Sequence, residues 1–394
     1  MKVQTTEMKK IIIVNNNMKI GGVQKSLYNL LWTIEGKYDI TLCLFKKSGA
    51  YVEQLPPSVR VIETRGAYRY LGMAQQECRG VDFLFRGALA ALCRVFGRTR
   101  VLQHFKCRMP ELDARYDCAI SFLHNGRPKS FYGGVQDFVL HCVKADKKVS
   151  FLHGDYRNCG SNYSANNRQM DLFDQIAACS NGCRAALVET LPHLEDRCVT
   201  VKNCHRFEEI RRLSQQNPLV YDESFVNVVL VARLSAEKGI GRAIEALAFA
   251  KERGARAKLH IIGGGGEQDA LKALANERNL GNFVIFYGEQ GNPYRYMKNA
   301  DLLLMTSYHE AAPMVIDEAR SLAIPVLTTE TTSAREMVLD MACGWICENA
   351  QVALNETLSK ILQDRQAIMK VRDALRNTSP SNQKALAQFD HIVQ

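Results

Sequence analysis

The sequence lacks the segments that mark membrane-spanning and secreted proteins. Its apolar runs are strand-sized, and none approaches the roughly 18 to 20 residues that a spanning helix needs. The first ten residues are polar and contain no apolar core of a secretory signal peptide. We therefore expect a cytoplasmic protein.

Several cofactor and nucleic-acid signatures are also missing. The 13 cysteines include no Cys-x-x-Cys pair and no partner set that completes a zinc pattern. There is no Gly-x-Gly-x-x-Gly fingerprint, which disfavours a nicotinamide dehydrogenase, and no Walker loop. No nucleic-acid-binding module is present, so we expect no nucleic-acid partner.

The 394 residues alternate between short apolar runs and amphipathic segments. This alternation is typical of α/β proteins in which helices cover both faces of a parallel sheet. It predicts two Rossmann-like doubly wound domains, at 1–213 and 214–378, facing an inter-domain cleft. Residues 379–394 are predicted to form a helix that packs back toward the first domain. In such folds ligands bind outside the carboxyl ends of the strands.

The strongest motif, 307–319, follows a predicted strand and opens a helix. Glu310 lies in the connecting loop, and the backbone N–H groups near Ala311, Ala312 and Met314 gather at the helix N-terminus. Such a terminus suits anionic or oxygen-rich ligands. Glu318 lies one and a half turns into the helix, where its carboxylate can accept hydrogen bonds from vicinal hydroxyls. The alternative is that Glu310 and Asp317 serve the helix end electrostatically and that Glu318 is solvated.

A second motif, 231–239, lies at another junction between a strand and a helix. It places Arg233 and Lys238 near the carboxyl end of the strand. Two cations beside a helix N-terminus can stabilise a departing diphosphate. A surface salt bridge with Glu237 is the alternative.

Two weaker signals lie in the first half. Gly21 and Gly22 follow the first strand, where a glycine pair lets the backbone approach a ligand closely, although a structural turn explains it equally well. His153 ends another strand and could bind a sugar hydroxyl, although a lone histidine is more often structural.

Together these motifs resemble retaining glycosyltransferases of the GT-B fold, family four, also called glycosyl transferases group 1. Glu310 and Glu318 match the carboxyl pair of that family. Ala232-Arg233-Leu234 and Glu237-Lys238-Gly239 match its arginine–lysine segment, and the turn at Gly263–Gly266 also fits. Gly22 and His153 match its first-domain glycine loop and cleft histidine. The resemblance spans about residues 10 to 345 and is weaker in the first half.

The resemblance implies that the chain transfers a hexose from a nucleotide-sugar, such as a UDP-sugar, without a metal or other cofactor. Arg233 and Lys238 would bind the diphosphate, and Glu318 the ribose. Glu310 and the nearby amides would hold the donor sugar, and His153 would contact it. The sequence departs from the family pattern at Ala232 and Ala311, where glycine is usual, so the identity of the sugar is left open.

Other functions remain compatible with the same residues. A nucleotide-sugar epimerase could use a similar scaffold, as could a non-catalytic sugar-nucleotide-binding subunit. A phosphorylase would need a lysine for pyridoxal phosphate, and the sequence singles none out.

The net charge of +10 is concentrated in residues 60–108, which hold ten basic and three acidic residues interleaved with aromatic and aliphatic side chains. A basic amphipathic stretch suits an anionic membrane surface. It would then bring the protein to a lipid-linked glycan acceptor on the inner face of the membrane, as in surface polysaccharide biosynthesis. The alternative is a solvated helical face with an ordinary core stripe.

Overall fold

Two parallel sheets organise the chain, each in its own compact unit. The computed structural model describes residues 8–105, 107 and 109–394. Unit 1 comprises Met1–His205 with Asn382–Gln394, and unit 2 comprises Arg206–Ser381. The division falls at His205/Arg206, a few residues before the predicted 213/214, because Phe207 and Ile210 pack in a core of unit 2.

Unit 1 contains a seven-stranded, all-parallel sheet in the order β3-β2-β1-β4-β5-β6-β7. Side chains of β1 alternate between two cores: Ile11 and Ile13 pack on one face, and Ile12 and Val14 on the other. The strands are β1 (Lys10–Asn15), β2 (Asp39–Leu44), β3 (Arg60–Glu63), β4 (Arg115–Ser121), β5 (Lys144–Leu152), β6 (Gln175–Ala178) and β7 (Cys198–Thr200).

Within the described residues, nine α-helices belong to this unit. The last, α16, contributes Phe389 and Ile392 to a core of unit 1, and Tyr38 donates a hydrogen bond to its Asp390 at 2.6 Å. The helices are α1 (Gly22–Thr33), α2 (Ala67–Leu71), α3 (Val81–Phe96), α4 (Arg98–Leu102), α5 (Pro110–Asp113), α6 (Val135–Cys142), α7 (Ser164–Met170), α8 (Asn181–Thr190) and α16 (Gln383–Val393).

Unit 2 contains a six-stranded parallel sheet in the order β10-β9-β8-β11-β12-β13. Its strands are β8 (Val226–Val231), β9 (Ala257–Ile262), β10 (Val284–Gly288), β11 (Leu302–Met305), β12 (Val326–Thr329) and β13 (Gly344–Cys347). Its helices are α9 (Phe207–Ser214), α10 (Ile240–Glu252), α11 (Gln268–Glu277), α12 (Tyr294–Met297), α13 (Met314–Ser321), α14 (Gln351–Gln363) and α15 (Arg365–Arg376).

Both sheets follow the Rossmann strand order, which confirms the predicted pair of Rossmann-like domains. In each sheet the order reverses beside the first strand, between β1 and β4 in unit 1 and between β8 and β11 in unit 2. The reversal leaves a crevice at the carboxyl ends of those strands, where open α/β sheets bind ligands. Among the described residues, no helix has the length and apolar composition that crossing a membrane requires.

The basic stretch 60–108 forms β3, α2, α3 and α4, and Lys106 and Arg108 lie outside the described residues. One of its predicted surface cations is internal. Arg98 is fully buried, lies 3.6 Å from Asp137 and donates to the Tyr132 carbonyl at 2.8 Å. Burial lowers the pKa of Arg98, and the Asp137 carboxylate opposes that shift. Arg98 therefore belongs to the core and adds nothing to a cationic surface.

Candidate active site

Two loops meet at the carboxyl edge of the sheet in unit 2. One follows β8 and carries the predicted 231–239 motif, and the other follows β11 and leads into α13. Because β8 and β11 are neighbours in the sheet, these loops are adjacent although they are far apart in sequence. The strand order reverses at this point, so both predicted motifs of the second half lie where ligands of such sheets bind.

A lysine, a glutamate and a serine form the centre of this edge. Lys238 Nζ donates to Glu310 Oε1 at 2.7 Å, and Ser307 Oγ donates to the same oxygen at 2.7 Å. The side chains of Lys238 and Glu310 are 23% and 13% exposed. This partial burial strengthens the ion pair relative to a surface pair and fixes the position of both charges.

Main-chain contacts hold the two loops together. Tyr308 N–H donates to the Glu237 carbonyl at 3.0 Å, and the Thr306 hydroxyl donates to the Gly239 carbonyl at 2.9 Å. Gly239 has φ near +60°, and a Cβ there would lie 2.5 Å from the Thr306 carbonyl oxygen. Glycine is therefore required where the β8 loop passes the β11 loop.

Arg233 lies in the same loop but does not join the central cluster. Its side chain is 73% exposed and lies 3.3 Å from Glu237 Oε1. The Ser235 hydroxyl donates to that carboxylate at 2.7 Å and is the main cause of the lowered pKa of Glu237. Exposed pairs of this kind contribute only about 0 to 1 kcal/mol, so Arg233 can exchange Glu237 for a ligand at small cost.

Helix α13 carries the second predicted carboxylate. Glu318 is only 3% exposed, so it is not solvated, and Tyr294 Oη lies 3.4 Å from its Oε1. Ala311 and Ala312 are partly exposed in the loop before the helix, and Met314 is its buried first residue. Pro313 lies just before the first residue of the helix.

The glycine turn after β9 supports the loop that carries Arg233. Gly263 has φ near +146°, and a Cβ there would lie 1.8 Å from the Ala232 carbonyl oxygen. Leu234 N–H donates to the Gly264 carbonyl at 2.9 Å. The turn and the loop thus pack backbone against backbone, which no other residue at position 263 permits.

The predicted glycine of unit 1, Gly22, is not constrained by its neighbours. Gly22 is the first residue of α1, and a Cβ there would meet no atom within 4 Å. The fold therefore does not itself require glycine at this position, in contrast with Gly263.

His153 follows β5 and packs beside the rings of Phe122 and Phe151, at centroid distances of 4.8 and 5.7 Å. Its backbone N–H donates to His124 Nδ1 at 3.3 Å, and its Nε2 is buried without a hydrogen-bond partner in the described part of the chain. Burial, and then the neighbouring His124, lower the pKa of His153 to about 3. The imidazole is therefore neutral at neutral pH and suited to hydrogen bonding.

The structure adds three side chains that the sequence does not single out. Ser307 could have been suspected because it opens the 307–319 motif, two residues after the end of β11 and three before Glu310. Tyr294 and His124 carry no local signal, because each reaches its partner only through the fold. Among residues 8–105, 107 and 109–394 there is no cluster of three or more His, Cys, Asp or Glu side chains that could hold a metal ion.

Comparison with known proteins agrees with this architecture. Residues 212–381 match the family model described as glycosyl transferases group 1, which covers nearly all of unit 2. The chain is 31% identical over 152 residues to an uncharacterized glycosyltransferase of Methanocaldococcus jannaschii, covering 37% of each protein. It is 35% identical over 127 residues to the lipopolysaccharide glucosyltransferase WaaG of Escherichia coli, covering 32% of this chain and 34% of that one.

The matched segments thus span little more than a third of these curated relatives. Among solved structures, the HepE protein of Anabaena in complex with UDP and glucose superposes with a TM-score of 0.65 at 19% identity, covering 98% of each chain. This likeness over the whole chain confirms the GT-B fold that the sequence predicts.

Proposed function

We propose that this protein is a retaining glycosyltransferase that moves a sugar from a UDP-sugar to a glycan or lipid-linked acceptor in surface polysaccharide biosynthesis. The observation that carries the proposal is the Lys238–Glu310 pair at the crevice between β8 and β11. It lies within the residues that match the glycosyl transferases group 1 model.

The chemistry of transfer explains why such a cluster is needed. As the bond between sugar and diphosphate breaks, positive charge grows on the sugar and negative charge on the leaving diphosphate. In the proposed mechanism Lys238 and Arg233 stabilise the diphosphate, together with N–H groups at the start of α13. The proposal assigns no step to a metal.

The carboxylates bind the two sugars of the donor. The buried Glu318 accepts hydrogen bonds from the ribose hydroxyls, which compensate for the burial of its charge. Glu310 and the loop at Ala311 and Ala312 hold hydroxyls of the transferred sugar. In unit 1, the imidazole of His153 is neutral, and its Nε2 forms a hydrogen bond with a sugar hydroxyl.

Two comparisons support the choice of substrates. HepE, which shares the fold, is described in complex with UDP and glucose, and WaaG is named as a lipopolysaccharide glucosyltransferase. We therefore propose a UDP-sugar donor, a surface-glycan acceptor and a location on the cytoplasmic side of the membrane.

The test is a transfer assay with the full-length protein, a panel of UDP-sugars and a membrane extract as the source of acceptor. We expect one donor to be consumed only when acceptor is present, and NMR of the product to show the anomeric configuration of the donor. Conversion of the donor into an epimeric nucleotide-sugar without acceptor would instead indicate an epimerase. Binding of the donor without turnover would indicate a non-catalytic subunit. An inverted product would contradict the retaining mechanism alone.

A further inference from the structure

Helix α3 in unit 1 inverts the usual arrangement of a surface helix. It buries only Leu89 and Cys93, which form a small cluster with Val101. A surface helix normally buries its broad apolar stripe and exposes its charges. In α3 the buried stripe is narrow, so most of its apolar residues must lie elsewhere.

The charged residues in the first turns of α3 face the protein. The Asp82 carboxylate accepts a hydrogen bond from Tyr70 Oη at 2.8 Å. Arg86 Nε donates to the Met73 carbonyl at 3.1 Å, and its guanidinium lies 4.7 Å from the ring of Phe131. These contacts hold the two charged side chains against the protein, so neither side chain interrupts the outward surface of the helix.

The outward face of α3 is apolar. Its members recur at the intervals of three, four and seven residues that place side chains on one side of a helix, with Ala88 and Ala91 exposed between them. Their exposed fractions range from 42% to 70%. They are Val81, Leu84, Phe85, Leu92, Val95 and Phe96. A contiguous exposed apolar surface of this kind marks a site of interaction.

Exposed arginines flank this face. Arg79 precedes the helix, Arg94 lies on it, and Arg100 follows it in α4. None of the three makes an ion pair with a residue in the described part of the chain, and Asp82, the sole acid of α3, is engaged by Tyr70. The outward face therefore combines apolar side chains with uncompensated positive charge.

We propose that the outward face of α3 is a membrane-docking surface. Its apolar side chains enter the boundary between headgroups and acyl chains of an anionic bilayer, and Arg79, Arg94 and Arg100 contact the lipid phosphates. Amphipathic helices with basic flanks bind membranes in this way. This proposal depends only on the surface of unit 1, and it holds whether or not the protein catalyses the proposed transfer reaction.

Charge favours a bilayer over a second copy of this chain. In a symmetric dimer the same surface meets itself, so both halves of the interface would carry the positive charge of Arg79, Arg94 and Arg100. Like charges oppose such an association, whereas an anionic lipid surface neutralises them.

The apolar face is tested by sedimentation of the full-length protein with phosphatidylcholine vesicles, with and without phosphatidylglycerol. The variant Leu84→Gln/Val95→Gln removes two exposed apolar side chains and should lower the partition onto anionic vesicles roughly 10- to 100-fold. The matched control Val352→Gln/Met369→Gln changes side chains that are 67% and 60% exposed in unit 2, and it should bind as the wild type does.

The arginines are tested by Arg94→Gln/Arg100→Gln. Each lost charge should weaken binding to anionic vesicles about fivefold, and salt should weaken wild-type binding more than that of the variant. The matched control is Lys272→Gln/Arg335→Gln, which removes two exposed cations from unit 2.

Three results would overturn the proposal. They are a wild-type protein that does not bind anionic vesicles, a Leu84→Gln/Val95→Gln variant that binds as well as the wild type, and a dimer in vesicle-free solution that this variant abolishes. Since vesicle binding needs no donor or turnover, a failure here is distinct from a failure of the proposed enzymatic activity.

Discussion

The contact between Lys238 and Glu310 provides the sharpest test of the proposed chemistry. The Nζ and Oε1 atoms are 2.7 Å apart, and less than a quarter of either side chain is exposed. Replacing Lys238 by alanine removes the cation that is assigned to the leaving diphosphate. It also leaves the Glu310 carboxylate with the Ser307 hydroxyl as its hydrogen-bond donor in this cluster.

The expected loss of rate follows from the proposed role. Removing one preorganised group that stabilises developing negative charge costs about 10²- to 10³-fold in kcat, or about 2.7 to 4 kcal/mol. The accompanying loss of stability should be smaller, about 1 to 2 kcal/mol, because the pair is partly exposed and Glu310 keeps one hydrogen bond. Activity should therefore fall much further than the loss of folded protein can explain.

Lys258→Ala is the matched control. Lys258 is 24% exposed and lies 3.5 Å from Asp222, but it lies at the start of β9, at the opposite edge of the same sheet. Initial rates with a saturating UDP-sugar, together with urea unfolding of both variants, separate the two effects. Near-wild-type rates in folded Lys238→Ala, or equal losses in Lys258→Ala, would refute the reasoning.

Three further predictions concern unit 2. Glu318→Gln should weaken UDP binding about 10- to 100-fold in calorimetry, since it removes the charge assigned to the ribose hydroxyls; unchanged affinity would contradict that role. Gly263→Ala should lower the free energy of unfolding by more than about 2 kcal/mol and abolish UDP binding, because its Cβ would lie 1.8 Å from the Ala232 carbonyl oxygen. Gly264→Ala, whose Cβ would have its nearest neighbour at 3.4 Å, should stay close to wild type in both measurements. Burial lowers the pKa of His260 to about 4, so the unfolded chain binds more protons than the folded one between pH 4 and 6.5, and stability falls as the pH drops through that window. His260→Gln should remove about 2 kcal/mol of the loss between pH 7.5 and 5 in urea titrations, and an unchanged pH dependence would exclude this assignment.

The regular elements of unit 2 are predictable because their signals are local. The run Val226–Val231 is predicted as a buried strand and forms one in the structure, since an apolar run rich in valine, interrupted only by Asn227, suits a strand that is covered on both faces. By contrast, the strand order is not encoded in any one segment. It depends on pairing between strands as distant as β8 and β11, which no periodicity reports.

The candidate site shows the same division between local and distant information. That Lys238 and Glu310 lie near strand ends can be predicted from their motifs. Their hydrogen bond spans 72 residues of sequence and depends on which strands are neighbours. For Arg233, the structure shows the alternative contact, an exposed pair with the Glu237 carboxylate four residues along the chain.

Whether a given side chain is buried or exposed is the property that the sequence predicts least well. Arg98 belongs to a stretch of cations that suggests a surface, yet it is fully buried and bonded to backbone carbonyls. The apolar residues of α3 suggest a core stripe, yet most of them are exposed. Helical spacing groups residues on a face, but only tertiary packing determines whether that face points inward.

A crystal structure of the full-length protein with a bound UDP-sugar is the most direct test of the donor site. The account predicts that a diphosphate oxygen lies within hydrogen-bond distance of Lys238 Nζ and that Glu318 accepts hydrogen bonds from the ribose. A nucleotide bound away from the β8–β11 crevice, with Lys238 bonded only to Glu310, would contradict it.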